Sequence, residues 1–337
     1  MRLSLATSVV VALLAAAPCP GAEPVTPART RVPLIKDADA WKRLPAAEKN
    51  GDKPLPSWAR ALADALPRTT AAMLELDYLH RARSPLDAPL RGKMRWVAAH
   101  ANRCAYGEAC AAADLRRAGV DEAAIKALAG DLAGLAEKER AALAFARKLT
   151  VAADTVTDEE VARLIKLYGE KQVVAMVLLL AYANFQDRLL LVLGVEVEEG
   201  GPLPPLDVRF ARDGDPPKVP HRKVADGPPV KKPGKPAAEE WDTIDFGGLQ
   251  GRLDKQRERP GRIAVPSWEE VRRGLPDGYP ASRPVRIKWS LVCLGYQPEL
   301  AVGWSACTRA FGEEAKQDRV FEESLFWVVT RSLHCFY

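Results

Sequence analysis

A run of helix-forming sequence between about residues 56 and 195 constrains this fold more than any other feature of the chain. Alanine, leucine, arginine, glutamate and lysine dominate it, and runs of β-branched residues are few. Asp121 is followed by EAAIKALAG, as at a capped helix start, and TDEE at 157–160 matches a capping box before VARLIKLYG. The sequence therefore predicts a compact all-α domain over residues 50–199.

One segment of this run, QVVAMVLLLAYANFQDRLLLVLGV, is apolar enough to raise the question of a membrane span. Four polar residues in a stretch of five interrupt it: Asn184, Gln186, Asp187 and Arg188. A buried helix tolerates such an interruption better than a lipid-exposed one does. We therefore predict a buried helix and no stable membrane span.

The N-terminal segment MRLSLATSVVVALLAAAPCPGAEP has the pattern of a secretory signal peptide: a basic residue, an apolar run and a small-residue exit. The run from Leu3 to Ala17 is short for a membrane span. We predict that residues 1–22 are a signal peptide and that the protein is exported, to the periplasm or the outside. Cys19 leaves with such a peptide. An odd number of cysteines then remains, which suggests a free or redox-active thiol: Cys104, Cys110, Cys293, Cys307 and Cys335.

Residues 200–261 have a different composition, with prolines clustered among lysine and glycine. This pattern predicts a linker stiffened by polyproline geometry. Much of the formal net charge of +5 falls here, and neither aromatic residues nor a helix would present it, so we predict no binding of nucleic acid. Helical, apolar sequence resumes after the linker, and we predict a second domain over residues 262–337.

The second helical region repeats part of the first. RWVAAHANRCAY at 95–106 aligns without a gap with FWVVTRSLHCFY at 326–337, which pairs Cys104 with Cys335. PSW recurs at 56–58 and 266–268, with an insertion of roughly twenty residues in the second copy. The sequence therefore predicts two related helical units, the second of them partial.

These repeated residues resemble the alkylhydroperoxidase D-like (AhpD-like) and carboxymuconolactone decarboxylase-like family. The first copy resembles it over about 140 residues, including AYANFQDRLLLVLGV near the end, and the second resembles only its N-terminal portion. The resemblance implies a helical AhpD-like bundle and a homo-oligomer. The family's redox branch has a glutamate, a cysteine twelve positions later, a second cysteine three positions on, and a histidine four positions after that.

The chemistry of that motif follows from its spacing. Two cysteines three apart at a helix start have Cα atoms about 5 Å apart, within reach of a disulfide. A helix N-terminus lowers the pKa of the thiol, and a nearby glutamate and histidine can relay the proton. The implied reaction is reduction of a peroxide through a sulfenic acid and then a disulfide, which a thiol or dithiol reductant reopens.

The first copy keeps one of these four groups. Cys104 occupies the first cysteine position, whereas Gly92 stands at the glutamate position. Gly107 and Ala111 stand at the positions of the second cysteine and the histidine. Cys110 lies about 10 Å further along a helix and cannot replace the second cysteine. We therefore predict a degenerate site in the first copy.

The second copy keeps two groups, Glu323 and Cys335, at the required spacing. The second cysteine position falls directly after Tyr337. We expect selenocysteine there, because its codon is normally interpreted as a stop; a frameshift or a nonsense codon is the alternative. His334, beside Cys335, is either an acid–base group or a solvent-facing residue.

Together these residues predict an exported, thiol-dependent peroxidase-like redox protein with peroxiredoxin-type activity and its site in the second copy. One alternative is a non-catalytic helical module for binding or assembly, which the lost groups of the first copy favour. Another is a lactone decarboxylase, against which the repeated Cys-x-Tyr argues. No cofactor or metal site is predicted. Cys293 and Cys307 either form a disulfide with each other or are buried as small apolar residues.

Overall fold

The computed structural model describes residues 30–211, 244–258, 260–276, 284–315 and 317–335, those at 256–258 for their backbone alone. Within these ranges the chain is predominantly helical, with one sheet of two strands, which confirms the all-α class. The predicted signal peptide, residues 1–22, lies outside the described residues, as does the stretch 212–243 of the proline-rich segment.

The described helices follow one another closely along the chain. In chain order they are α1 Asp37–Arg43, α2 Ser57–Leu62, α3 Pro67–Tyr78, α4 Ala88–Ala101, α5 Ala105–Arg117, α6 Glu122–Ala127, α7 Glu137–Val151, α8 Asp158–Tyr168, α9 Glu170–Leu193, α10 Phe246–Glu258, α11 Trp268–Arg273, α12 Lys288–Tyr296, α13 Pro298–Glu314 and α14 Arg319–Ser332. A π-helical turn, Leu79–Arg83, continues α3, and a 3₁₀ turn, Ala153–Thr155, follows α7. The strands are β1 Ala47–Lys49 and β2 Arg209–Phe210.

Local sequence signals fix several of these helix ends. Thr157 and Glu160 form the predicted capping box at the start of α8, each side chain accepting from the other's backbone N–H. Asp121 accepts from the backbone N–H of Ala124 at 2.8 Å and caps α6. Helix α9 ends at Gly194, whose φ of 63° is the left-handed conformation that glycine adopts without strain.

The core of the first unit is built around α4 and α9. Helix α4 packs against α5, α7 and α9, and its side chains Met94, Val97 and Ala98 are buried. Helix α9 is the one helix in the described part of the chain that is long and apolar enough to cross a membrane, and 44% of its apolar window is buried in the fold. Length and composition are weak indicators of a span, and the burial fits the predicted core helix.

The first unit extends beyond residues 50–199 on both sides. Strand β1 pairs antiparallel with β2, so that Ala47 is opposite Phe210. Phe210 is buried, and its backbone N–H donates to Glu75 Oε1 at 2.8 Å. The segment predicted as a linker therefore starts inside the first unit, and it contains α10 further along. A two-residue strand leaves no periodic pattern in the sequence that would have predicted it.

Helices α13 and α14 begin 231 residues after α3 and α4, the offset of the predicted repeat. Helices α4 and α14 both begin after an aspartate, Asp87 and Asp318, whose side chain accepts from the third helical N–H at 3.1 Å. Two residues after the end of each helix, a residue adopts positive φ: Arg103 at 58° and His334 at 51°. The backbone N–H of the cysteine that follows each then bonds five residues back at 2.9 Å.

The two units differ in what covers these matching helices. Helix α14 exposes a set of large apolar side chains, whereas the central part of α4 is buried. Contacts of α14 in the described chain include a hydrogen bond from Arg331 Nη1 to the Ile244 carbonyl at 3.3 Å and a ring contact between Trp327 and Phe246. The exposed side chains are Val320, Phe321, Leu325, Phe326, Trp327, Val328, Val329 and Leu333.

The equivalent helices α3 and α13 pack against each other and join the two units. The Glu314 carboxylate at the end of α13 accepts from the backbone N–H groups of Arg68 and Thr69 at the start of α3, at 2.7 and 2.8 Å. The two helices are therefore antiparallel. Cys307 of α13 is buried within the hydrophobic core of the first unit. Gly303 lies where an added Cβ would be 3.0 Å from Leu79 Cδ1.

This close approach predicts a stability effect of filling Gly303. Gly303→Leu is expected to lower the free energy of unfolding by about 1–3 kcal/mol, because the added side chain must separate α13 from α3. The matched control is Gly312→Ala on the same helix, where an added Cβ meets nothing within 4 Å. The control is expected to raise that free energy by about 0.5–1 kcal/mol through helix propensity. Urea denaturation of both variants measures the two free energies of unfolding. Equal values would contradict a close approach of α13 to α3 at Gly303.

Candidate functional site

Cys104 lies at the N-cap of α5, where its Sγ accepts from the backbone N–H of Gly107 at 3.4 Å. This position at a helix start predicted a lowered thiol pKa. The side chain is 1% exposed, and burial, followed by the charge of Asp187, raises the pKa of the Cys104 thiol to about 11. These two effects on the pKa are larger than the lowering caused by the helix N-terminus. At neutral pH, Cys104 is therefore a protonated thiol with little nucleophilic character.

The position of the family's second cysteine, Gly107, has no room for a side chain. A Cβ there would lie 2.5 Å from Asp187 Oδ1 and 2.9 Å from the Cβ of Ala99. The Arg95 guanidinium also reaches within 3.4 Å of that point. A buried ion pair therefore occupies the region into which a resolving thiol would project, so the dithiol is excluded by packing as well as missing.

Gly92, which stands at the glutamate position, also has no room for a larger side chain. A Cβ at Gly92 would lie 2.7 Å from the Leu115 side chain of α5. Helix α5 runs back along α4, which brings Gly92 beside Leu115 and Gly107 beside Ala99. Ala111, at the histidine position, is buried in the hydrophobic core. The packing at Gly92 and Gly107 leaves no room for larger side chains, and the degenerate site stays a prediction.

The ion pair beside Gly107 joins α4 to α9. Arg95 Nη2 lies 2.8 Å from Asp187 Oδ1, and the Asp187 side chain is fully buried. Arg95 also donates to Gln186 Oε1 at 2.9 Å, and Asn102 donates to Asp187 Oδ2 at 2.9 Å. Burial alone lowers the pKa of Arg95, but the charge of Asp187 outweighs it and holds this pKa above its usual range.

Further buried polar groups extend this network to α3. Asp77 Oδ1 accepts from the Tyr182 hydroxyl at 2.9 Å and from Gln186 Nε2 at 3.2 Å. Asp77 Oδ2 accepts from Arg81 at 3.1 Å, and Arg81 forms a bidentate pair with Asp114 at 2.8 and 3.0 Å. Sequence reasoning noted the polar interruption of α9 only as an argument against a membrane span. The spacing of Tyr182 and Gln186 on one face of α9 was a signal for a shared buried partner.

His80 was also missed by sequence reasoning. The π-helical turn after α3 places its ring against Tyr182, with centroids 4.6 Å apart and planes 8° from parallel. The residue is 2% exposed. Burial, assisted by the charge of Arg95, lowers the pKa of His80 to about 3. The imidazole is therefore neutral in the folded protein at physiological pH.

Cys335 has the opposite environment to Cys104. It is exposed, and it follows the same left-handed turn at the end of its helix. The preceding residue, His334, has its Nδ1 3.2 Å from Asp154 Oδ2 in the first unit. The turn that carries Cys335 is thus held to the first unit by a side chain adjacent to the thiol. An exposed cysteine is accessible to peroxides and to reductants.

Glu323 and Cys335 are not brought together in the structure. Glu323 lies on the exposed surface of α14 and pairs with Arg319 one turn earlier. Nine residues of helix separate Glu323 from Ser332, about 14 Å along the axis at 1.5 Å per residue. A direct proton transfer between Glu323 and Cys335 does not fit this geometry. Their roles stay predictions.

The other three cysteines are shielded from solvent. Burial raises the pKa of Cys293 and of Cys307 to about 11 in each case. Cys293 packs in a small cluster formed by α11, α12 and α13, whereas Cys307 belongs to the core of the first unit. They form no disulfide with each other, and the interpretation as buried small apolar residues fits. Cys110 is free, and burial raises its pKa to about 12.

Comparison of the chain with family models and with curated proteins finds no match. The described residues contain no group of three or more His, Cys, Asp or Glu side chains placed to hold a metal ion. The resemblance to the alkylhydroperoxidase D-like family therefore rests on the motif residues and their spacing alone.

The packing at Gly107 predicts the outcome of restoring the lost cysteine. Gly107→Cys is expected to lower the free energy of unfolding by about 2–4 kcal/mol, because the side chain displaces the buried pair of Arg95 and Asp187. Ala105→Cys, on the exposed first residue of the same helix, is the control and should change it by less than about 0.5 kcal/mol. Urea denaturation under reducing conditions measures both. A Gly107→Cys variant as stable as the control would disprove the steric argument.

His80 predicts a loss of stability in mild acid. Its pKa is about 3 when folded and 6.5 in the reference state, so the unfolded chain binds a proton that the folded chain rejects. The contribution of His80 to the free energy of unfolding is fully present above pH 6.5 and is lost as the pH falls toward 3. Between pH 7 and pH 5 this loss is about 2 kcal/mol. His80→Phe should remove this dependence, and His100→Gln, at an exposed histidine, should retain it. Denaturant titrations at several pH values measure the free energy of unfolding of each variant. The same dependence on pH in wild type and in His80→Phe would contradict the assignment to His80.

Proposed function

We propose that this chain is an exported, thiol-dependent peroxidase-like protein of the alkylhydroperoxidase D-like kind, with Cys335 as its reactive thiol. One observation carries the proposal. Of the five cysteines in the described residues, Cys335 is the exposed one, and it occupies the same position after its helix as Cys104. The first unit, in this proposal, is the scaffold on which the second is mounted, and the protein assembles as a homo-oligomer.

The shared turn supports the correspondence between the two cysteines. In each unit a helix capped by aspartate ends in a left-handed residue, and the next backbone N–H, that of the cysteine, bonds five residues back. The same turn places Cys104 against Asp187 in one unit and leaves Cys335 open to solvent in the other. Peroxides and reductants can reach the exposed thiol of Cys335, whereas the thiol of Cys104 is buried.

The proposed reaction requires one thiol of the protein and an external dithiol. The Cys335 thiolate attacks the terminal peroxide oxygen, the O–O bond breaks, and the remaining alkoxide leaves as the alcohol with a proton from solvent. Cys335 is then a sulfenic acid. One thiol of the reductant attacks this sulfur and expels water, and its second thiol closes the reductant's own disulfide and returns Cys335 as a thiol. The sum converts one peroxide and one dithiol into an alcohol, water and a disulfide.

The packing of the first unit favours a second candidate, a non-catalytic helical module. The space beside Gly92 and Gly107 is filled by Leu115 and by the Arg95–Asp187 pair, and Cys104 is buried. Such a unit serves for assembly or binding alone. If Cys335 proves unreactive toward peroxide, this function describes the whole chain. No contact in the described residues favours the third alternative, a lactone decarboxylase.

Trapping of the sulfenic acid tests the proposal directly. The purified chain is treated with hydrogen peroxide or cumene hydroperoxide together with dimedone, and the modified peptide is identified by mass spectrometry. We expect the label on Cys335, because its thiol is exposed, and none on Cys104, because its thiol stays protonated and buried. Cys335→Ser should reduce the label at least about tenfold, and Cys104→Ser should leave it unchanged.

Turnover separates the two candidate functions. Peroxide consumption is followed with dithiothreitol as the reductant, against the rate of free cysteine at the same concentration. A rate above that of free cysteine, abolished in Cys335→Ser, supports the peroxidase. A rate equal to that of free cysteine, with Cys335 labelled no faster than an ordinary exposed thiol, would overturn it and leave the non-catalytic module.

A further inference from the structure

Helix α14 carries the largest set of exposed apolar side chains in the described part of the chain. The eight large apolar residues at 320–333 are each about half exposed or more, whereas a surface helix ordinarily buries its apolar residues against a core. Their exposed parts amount to on the order of 800 Å², since a large side chain has a surface of about 150–250 Å². The largest apolar patch on a typical monomer is about 300–600 Å². Helix α14 is therefore a candidate contact surface.

Helix α4, at the equivalent place in the first unit, shows how such a helix is covered. Helices α5, α7 and α9 pack around it. The spacing of four of its side chains, at i, i+4, i+7 and i+8, puts them on one face, and all four are buried in the hydrophobic core: Leu90, Met94, Val97 and Ala98. A helix with this face is thus built to contact other helices.

The same four positions of α14, which we call the apolar stripe, are exposed: Phe321, Leu325, Val328 and Val329. In the described part of the chain, α14 has no packing partners like those of α4. Its contacts with α10 and the residues before it involve Trp327 and Arg331. At 3.6 residues per turn, these two side chains lie on a different face from the stripe, so the stripe is open.

Composition and charge narrow the choice of what covers the stripe. The proline- and lysine-rich sequence at 212–243 has few large apolar residues to offer. A lipid surface favours a helix whose polar face is rich in lysine and arginine, whereas α14 contains two glutamates and two arginines. A second copy of the chain presents the same stripe, and a two-fold interface needs only one such patch on each subunit.

The size of the exposed surface and the composition of the first unit also favour pairing through α14. A stable interface buries about 800 Å² on each partner, which is comparable with what α14 exposes. The first unit exposes fewer large apolar side chains, on α7 and α9: Val151, Val177, Phe185, Leu191 and Val192. The best match for the stripe on a second copy is therefore the stripe itself.

We propose that two copies of this chain associate through the apolar stripe of α14, each stripe packing against the other. The proposal identifies the contact surface of the homo-oligomer proposed above and rests on that part of the proposed function, but not on the reactivity of Cys335. The stripe ends at Val329, more than one helical turn before Cys335, so the contact does not require the thiol to be covered.

Sedimentation velocity of the purified chain tests the proposal. Reducing conditions are used, because a disulfide between two Cys335 thiols would otherwise mimic the interface. We expect a dimer whose share rises with protein concentration. Hydrogen exchange of the backbone N–H groups of α14 should slow over the same concentrations, because the partner stabilises the helix. A chain that stays monomeric, or exchange in α14 that does not change with concentration, would overturn the proposal.

A matched pair of variants assigns the dimer to the stripe. Val328→Glu should raise the dissociation constant of the dimer at least about tenfold, because the contact would bury an unpaired charge. Val192→Glu, the same change at an exposed valine of α9, should leave the constant unchanged. Circular dichroism confirms that both variants are folded, as their exposed positions lead us to expect. Equal dissociation constants for the two variants would show that the copies meet elsewhere and would overturn the stripe as their interface.

Two further measurements separate this proposal from its neighbours. Flotation with phosphatidylcholine vesicles tests a lipid surface: a monomer that binds the vesicles, and loses this binding in Val328→Glu, would assign the stripe to lipid and refute the dimer. Dimedone labelling and peroxide turnover are measured on the same samples. A monomer with turnover would refute the interface and leave the peroxidase, whereas a stripe-dependent dimer without turnover would support the interface and refute the peroxidase.

Discussion

The buried pair of Arg95 and Asp187 is the interaction on which the first unit depends. Two charges taken out of water are costly, and only close geometry with further hydrogen bonds compensates for that cost. Here Gln186 and Asn102 supply those bonds, and the pair ties α4 and α9 together at the centre of the fold. The position of α5 relative to α4 is set by the same pair, because Gly107 packs directly on it.

Several properties of the first unit follow from that pair. The Asp187 charge, added to burial, keeps the Cys104 thiol protonated. The guanidinium of Arg95 fills part of the space beside Gly107, 3.4 Å from the point where a Cβ would lie. The packing at Gly107 and the protonation of Cys104 therefore depend on the same two side chains.

The local structure was far more predictable from the sequence than the site was. Helix starts such as Thr157 depend on neighbours within one turn, and the sequence shows them directly. Gly92 and Gly107 pack against Leu115 and Asp187, which are distant along the chain. The sequence shows that these two positions carry glycine, but it does not show which side chains fill the space beside them. The correspondence of α3 with α13 was within reach, since the ungapped alignment continues back to Pro67 and Pro298.

The separation of Glu323 from Cys335 limits how a thiol in the second unit can be activated. In the first unit the glutamate position faces α5, at Leu115, rather than the cysteine that precedes α5. A side chain placed at Gly92 would therefore start toward Leu115 of α5. Within the described residues the ionisable side chain nearest in sequence to Cys335 is His334, which is bound to Asp154. In the proposed reaction, the proton of the Cys335 thiol is therefore expected to pass to solvent rather than directly to Glu323.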